Sequence, residues 1–390
     1  MYDSPHQFEP LVPAIIPPAM IEKVAAIVRS ATRLAGAAQP ASRATIRERV
    51  RSMNSYYSNR IEGQGTHPLH IEEALQKSFS DRPDVARLQR VALAHIDAER
   101  ELERQVDAGV SPMSAAFLTF AHKALYARLA EDDRRTKDGR IVQPGEIRTD
   151  EVVVGRHIPP TASSLPRFQA RLDQVYDHKH AWDRHMILVA CLHHRAAWVH
   201  PFVDGNGRAV RLQSHCALWT LSDGLWSPSR GLARDTDNYY ARLINADAPR
   251  RGDLDGRGNL TTAGLVEWVE YFLDICADQV GFMDRMLELA GMKRRIEALI
   301  VFRSAHDKAV RPEAILPLYH LFAAGPLTRR EFTQMTGLGE RTARSLISRL
   351  LQDGLLESDS ASGPVRWGLP LDSLQFLFPG LYPEAATKPD

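Results

Sequence analysis

Apolar residues recur at three- and four-residue intervals along most of the chain, the spacing that places one apolar stripe on a helix. This periodicity predicts helices from residue 21 to about residue 60, over 71–79, 85–105 and 115–129, and again over 165–179, 183–199, 208–221 and 261–303. Thr261 and Asp278 are side chains able to start helices within the last of these. Two segments break the pattern. Residues 1–19 hold Pro5, Pro10, Pro13, Pro17 and Pro18, a density that excludes regular helix and predicts an extended arm. Between Asp132 and Pro166 glycines and prolines cluster, and Val152, Val153, Val154, Gly155, Arg156, His157 and Ile158 read as extended chain, a short β-hairpin flap ending at Pro159 and Pro160.

A further boundary falls within 304–312, after which helices are predicted over 312–324, 328–336 and 340–353, followed by an extended stretch at Val365–Trp367. Thr328 can cap the second of these, Gly337 and Gly339 open a turn, and Ala343, Leu346, Ile347, Leu350 and Leu351 form one face of the third. That order is a helix-turn-helix with a wing, and Arg341, Arg344 and Arg349 fall largely off the apolar face. The fold expected is all-α and mainly helical. With 390 residues the chain exceeds the ~250–300 that one core usually serves. Three parts are expected: an arm and helical region over 1–110, a central core over 111–303 and the helix-turn-helix module over 304–390.

Composition narrows the classes. Hydrophobic residues make up 44% and charged residues 25%, as in a packed globular protein. The net charge of +1, from 49 basic and 48 acidic residues, excludes the broad positive field of a nucleic-acid coat protein, so any DNA contact must be local. Cys191, Cys216 and Cys276 are odd in number and scattered, which fits reduced core residues and a cytoplasmic location. The acidic, proline-containing start lacks the features of an export signal. The apolar stretch 186–197 is interrupted by His193, His194 and Arg195, short of the ~20 residues that span a bilayer, so no membrane partner is expected.

Chemistry concentrates in HPFVDGNGRAVR, residues 200–211, between two predicted helices. Gly205 and Gly207 flank Asn206 in a turn whose consecutive N–H groups can converge on an anion. The next helix adds its unpaired N–H groups and positive dipole end. Arg208 and Arg211, three apart, share one side of that helix and can grip the same polyphosphate. Asp204, an acid just before an anion nest, makes sense as a ligand for a divalent ion bridging phosphate oxygens, with Mg2+ the expected ion. His200 supplies a general base at the rim. A lone histidine or Gly-x-Gly turn is usually structural, but this conjunction in register has few structural explanations. His193 and His194 lack an acid at ligand spacing and are expected to pack in the core.

The segment resembles the HPFx(D/E)GNGRxxR signature of Fic domains and matches it at every fixed position. The resemblance, expected over about residues 45–290, implies a Fic-type helical core and transfer of AMP from ATP to a Ser, Thr or Tyr hydroxyl of a protein, the chain itself included. It assigns His200 as base, Asp204 to magnesium, Gly205, Asn206 and Gly207 to the phosphates, and Arg208 and Arg211 to the β- and γ-phosphates. It makes the 152–158 flap a docking edge for the target by main-chain pairing, and places Tyr239 and Tyr240 near the adenine, with neither ring preferred.

Upstream, Ser58-Asn59-Arg60-Ile61-Glu62-Gly63 is similar to the (S/T)xxxE(G/N) inhibitory element of some Fic proteins. Gly63 can end a helix, leaving Glu62 at its negative end, where a carboxylate needs a compensating cation. Arg211 can be that cation, and the pair would then keep the arginine from the γ-phosphate. The C-terminal module resembles winged helices attached to bacterial Fic proteins; DNA, a docking protein and a second copy of the chain all remain open as its partner. Removal of AMP, or transfer of another phosphate-containing group, is the alternative within enzymes. The alternative outside them is a DNA-binding regulator that senses nucleotide, against which an intact His200 speaks.

Overall fold

The computed structural model describes residues 2–155 and 157–382. Proline excludes regular helix from the arm, which holds a single 3-10 turn, Pro5–Phe8, yet the arm is packed. Phe8 and Leu11 are buried, Phe8 meets Phe168 edge-on and leans on Trp198, and Arg195 donates from Nε and Nη2 to the Pro10 carbonyl. Helix α1 (Pro18–Ala37) begins on the last proline of the run, where a missing N–H costs nothing. Pro18 therefore belongs to helix and not to the arm.

Helix α2 (Pro40–Ile61) also begins on proline, and the Gln39 side chain accepts from the N–H groups of Ala41 and Ser42. Helix α3 (Pro68–Leu75) stops before residue 79, the predicted end, because Lys77 turns the chain with φ 61°. Helices α4 (Pro83–Asp107) and α5 (Ala115–Tyr126) follow, then α6 (Leu165–Tyr176) and α7 (Trp182–Val199). The helix predicted over 208–221 divides into α8 (Asn206–Ala217) and the single turn α9 (Trp219–Ser222). Two helices had no counterpart in the pattern, α10 (Ser229–Arg234) and α11 (Thr236–Asp247).

Asp278 does not start a helix: α12 (Thr262–Leu287) runs straight through it, and Asp278 faces outward to pair with Arg234. The break falls at Glu288, whose side chain caps α13 (Leu289–His306) by accepting from the N–H groups of Ala290 and Gly291. Helix α12 packs against α1, α7 and α11, with Trp268 wholly buried and its Nε1 donating to the Ala190 carbonyl at 2.7 Å. Helix α8 lies against α4, α5 and α7. Its Arg208, Arg211, Gln213, Ser214 and His215 are all buried, an arrangement that is costly unless each finds a partner.

Beyond residue 306 come α14 (Ile315–Ala324), α15 (Arg329–Thr336), α16 (Glu340–Gln352), the antiparallel pair β1 (Leu356–Glu357) and β2 (Arg366–Trp367), and the turn α17 (Leu374–Leu377). Thr328 and Glu331 form a reciprocal capping box at the start of α15, and Gly337, at φ 67°, ends it. This part is fused to α2. Ser42 Oγ donates to the Phe322 carbonyl at 2.9 Å and Tyr57 Oη to the Leu381 carbonyl at 3.0 Å, and one apolar cluster continues from Phe8 to Tyr382. Among the described residues no helix is long and apolar enough to cross a membrane.

Candidate active site

Helix α7 ends where His200 turns left-handed, at φ 48° and ψ 62°. A non-glycine residue holds that conformation only where its surroundings fix it, and Arg148 does so. Its buried guanidinium donates from Nε to the His200 carbonyl at 2.9 Å and from Nη2 to the Pro160 carbonyl at 2.5 Å, while the Arg148 N–H donates to the Pro201 carbonyl. Burial, and then the positive charges of His157 and Arg148, push the His200 imidazole down to about 4. It is therefore neutral, and free to take a proton, throughout the physiological range.

The loop after His200 is braced from within. Asn206 accepts from the Phe202 N–H at 2.9 Å and donates to the Phe202 carbonyl at 2.8 Å. Its side chain thus shapes the turn, leaving its backbone N–H to the nest. Phe202 stacks on His122, centroids 3.9 Å apart, and His122 stacks in turn on Tyr126. The Gly145 N–H donates to His122 Nδ1, so Nε2 carries the proton and donates to the Asp204 carbonyl at 3.1 Å. Burial first of all pushes His122 down to about 4, consistent with that neutral form. Gly205, at φ 79°, lies so close to Tyr126 that a Cβ would strike the ring. Asp204 Oδ1 accepts from the Gly205 N–H at 2.6 Å, and its carboxylate is about half exposed at the mouth of the turn.

Both arginines of α8 are buried. Arg208 donates from Nη2 to Tyr126 Oη at 2.7 Å and from Nη1 to Gln64 Oε1 at 3.0 Å, with Nε unpartnered. Arg211 donates from Nε to Ser58 Oγ at 2.9 Å and from Nη2 to the Ser58 carbonyl at 3.1 Å and to Glu62 Oε1 at 2.5 Å. Glu62 is the C-cap of α2, followed by Gly63 at φ 70°. Its carboxylate lies directly over Gly207, where a Cβ would collide with Oε1. Burial opposes the charge on Glu62, but the guanidiniums of Arg211 and Arg208 outweigh it and hold the carboxyl below its ordinary range. An anion thus already rests in the nest.

Residues 112–218 match the model of the Fic/DOC family. The chain carries a Fic domain. Over 78 residues it is 39% identical to proteins called protein adenylyltransferase Fic from Drosophila sechellia and Drosophila melanogaster, an overlap covering 20% of this chain and 16% of each of those. The chain thus spans about a sixth of the length of these curated relatives. In fold it is similar to a Fic family protein from Desulfovibrio desulfuricans, with TM-score 0.53 and 18% identity over 92% of this chain and 98% of that one. It is also similar to Fic-1 of Caenorhabditis elegans, with TM-score 0.51 and 15% identity over 68% and 72% of the two chains.

Around the Fic loop the flap is slighter than a hairpin ladder: among the described residues one bridge, Val154 to His157, closes a turn with Gly155 at φ 61°. Arg156 lies outside the described residues. His157 turns inward and donates from Nε2 to the Trp198 carbonyl at 2.7 Å, whereas Val153, Val154 and Ile158 are exposed. The two tyrosines part company. Tyr239 is buried, its hydroxyl 2.9 Å from His193 Nε2, while Tyr240 is partly exposed and donates to the Ile61 carbonyl at the end of α2. His193 also meets Ser214 Oγ at 2.8 Å, and His194 donates to the Leu243 carbonyl, so both are tied into the core of the Fic domain. Sequence reasoning missed His122, Tyr126, Gln64 and Arg148. A signal existed for two of them, since His122 and Tyr126 sit one helical turn apart among the buried positions of α5, where a histidine needs a partner.

Proposed function

We propose that the protein transfers AMP from ATP to a hydroxyl side chain of a protein, and that Glu62 restrains it. The observation that carries this reading is the Glu62 carboxylate over Gly207, paired with Arg211, in a nest built for anions. A side-chain anion in that place is a stand-in for a terminal phosphate. When Glu62 leaves, the N–H groups opening α8, with Arg208 and Arg211, are free for the β- and γ-phosphates. His200 takes the proton of the target hydroxyl as its oxygen bonds to the α-phosphorus. The bond from that phosphorus to the β-phosphate's bridging oxygen breaks, and pyrophosphate carries the charge away against the two arginines.

The donor set suits magnesium. Asp204 offers one partly exposed carboxylate at the mouth of the nest, the sparse protein contribution that ion accepts. When bound it would neutralise charge on the phosphates. The exposed Val153, Val154 and Ile158 would take an extended target segment, and Tyr240, the more exposed tyrosine, would face the base of the nucleotide.

On α16, Arg341 and Arg344 stand free for an acidic partner such as DNA, whereas Arg349 is engaged by Asp307 and Asp353. A gel shift that weakens steeply with salt and is lost on Arg341→Ala/Arg344→Ala is the result expected of a DNA contact.

ATP labelled on the α- or the γ-phosphate discriminates the chemistry. Label on protein from the α-position alone, with a mass increase equal to AMP, is expected. Label from the γ-position would mean phosphoryl transfer. Nucleotide binding without covalent label, in wild type and Glu62→Gly alike, would favour the sensing regulator.

A further inference from the structure

Helix α8 has a second polar centre at its far end. His215 projects there toward α4, which presents Glu99 and Glu103 one turn apart on the same stripe, and all three side chains are buried. His215 Nε2 stands 2.9 Å from Glu103 Oε1 and 3.4 Å from Glu99 Oε1. One ligand atom from each of the three lies within 4.8 Å of the others.

Neighbours hold the carboxylates in place. Arg51 donates from Nε and Nη2 to Glu103 Oε2, at 2.8 and 2.5 Å, which leaves Oε1 turned toward His215. Asn54 donates to Glu99 Oε1 at 2.8 Å. His95, one turn before Glu99, is 1% exposed and has no partner on either ring nitrogen. Its Nδ1 is 3.8 Å from Glu99 Oε2, which is also buried and unpartnered, as is Asn54 Oδ1. Orphaned buried polar atoms are costly to leave unpaired. Most of those gathered here are acceptors, or become acceptors once an imidazole gives up a proton. What would satisfy them together is a cation.

The geometry points to a buried binding site for a divalent transition-metal ion, ligated by Glu99, Glu103 and His215. Four N and O ligands at about 2.0–2.2 Å from an ion stand about 3.3 Å from one another, and the two distances from His215 bracket that value. Imidazole with carboxylates selects zinc over magnesium or calcium, which prefer oxygen alone. The ion takes the place of a proton on His215 Nε2. Arg51 and Asn54 act as the outer groups that orient the ligands, and both belong to α2, the helix that ends in Glu62. The ion would fasten α2 to α4 and α8.

The test is metal analysis of the full chain, produced in medium supplemented with zinc chloride so that the ion is present as the chain folds, tag removed and desalted. About one zinc ion per chain is expected, because metal held in a sealed site leaves slowly. Asp204→Asn retains it, which separates this site from the nest. Glu99→Gln, close to isosteric, weakens zinc binding at least ~10-fold. Should that variant not fold, wild type produced in medium holding cobalt(II) in place of zinc decides: intense visible bands of a four-coordinate ion are expected. Zinc content no higher in wild type than in folded Glu99→Gln, or the weak spectrum of hydrated cobalt, overturns the site.

Discussion

The two ends of α8 are opposites built on one rod. At the amino end the helix dipole and the guanidiniums of Arg208 and Arg211 gather positive charge around a single buried-side carboxylate, Glu62, beneath a mouth that Asp204 shares with solvent. At the carboxyl end His215 meets two carboxylates, Glu99 and Glu103, with all three side chains buried. One end has room for an anion to come and go, because its present occupant is a side chain at the end of another helix. The other has no exit, so whatever compensates it is part of the folded state. Burial of charge is common to both, and access is what separates a reaction site from a structural one.

Predictions follow from that contrast, the largest first. Loss of the base removes chemistry but not the nest: in a Glu62→Gly background, His200→Ala is expected to lower the rate of α-label transfer at least ~100-fold while ATP binding, followed by calorimetry, persists. Equal rates would dismiss His200 as base. Damage to the nest itself is a matter of stability. Gly205→Ala asks a Cβ to adopt φ 79° against the Tyr126 ring, and a loss of about 2–4 kcal/mol in urea unfolding is expected.

Acid should strike the open end through its histidines. His122 and His200 sit at about 4 in the folded chain, below the ordinary histidine value. Protons therefore bind the unfolded chain first. The stability these two contribute is complete above about pH 6.5 and is lost as pH falls from there toward 4, with a cost on the order of 3 kcal/mol for each fully titrated group. Unfolding midpoints of His122→Gln should fall less steeply over that window than wild type; identical slopes would mean that His122 is not held neutral. The smallest effect belongs to Tyr126→Phe, which removes one hydroxyl from Arg208. About 1 kcal/mol of stability and a few-fold of ATP affinity are expected to go with it.

How much of this was legible in the sequence depends on the range of each contact. The turn at 200–211 is local, and its glycines, acid and arginines declare an anion site without reference to the rest of the fold. The Glu62–Arg211 pair spans 149 residues, and only the resemblance of residues 58–63 to an inhibitory element pointed to it, since a carboxylate at a helix end is otherwise satisfied by solvent. The bracing of the loop had no such pointer. His122 reaches the Asp204 carbonyl across 82 residues and Arg148 the His200 carbonyl across 52, and a side chain that serves a backbone carbonyl leaves no complementary residue to look for. Helices were legible wherever an apolar stripe was long; α10, only 6 residues, and α11, with Tyr239 and Ala246 alone buried, gave too few periods. The arm shows the reverse case, since proline density forecast its lack of helix but not that Phe8 would lodge beneath Trp198.

The central claim is that Glu62 holds the place of a phosphate. Its most direct measurement is transfer from α-labelled ATP by wild type, Glu62→Gly and Glu62→Gly/Arg211→Ala side by side. Release of a charge-assisted bond worth about 1.5–3 kcal/mol should raise labelling roughly tenfold or more in Glu62→Gly, and loss of Arg211 should cancel the gain. Equal labelling by wild type and Glu62→Gly, in proteins that bind ATP equally, would contradict it.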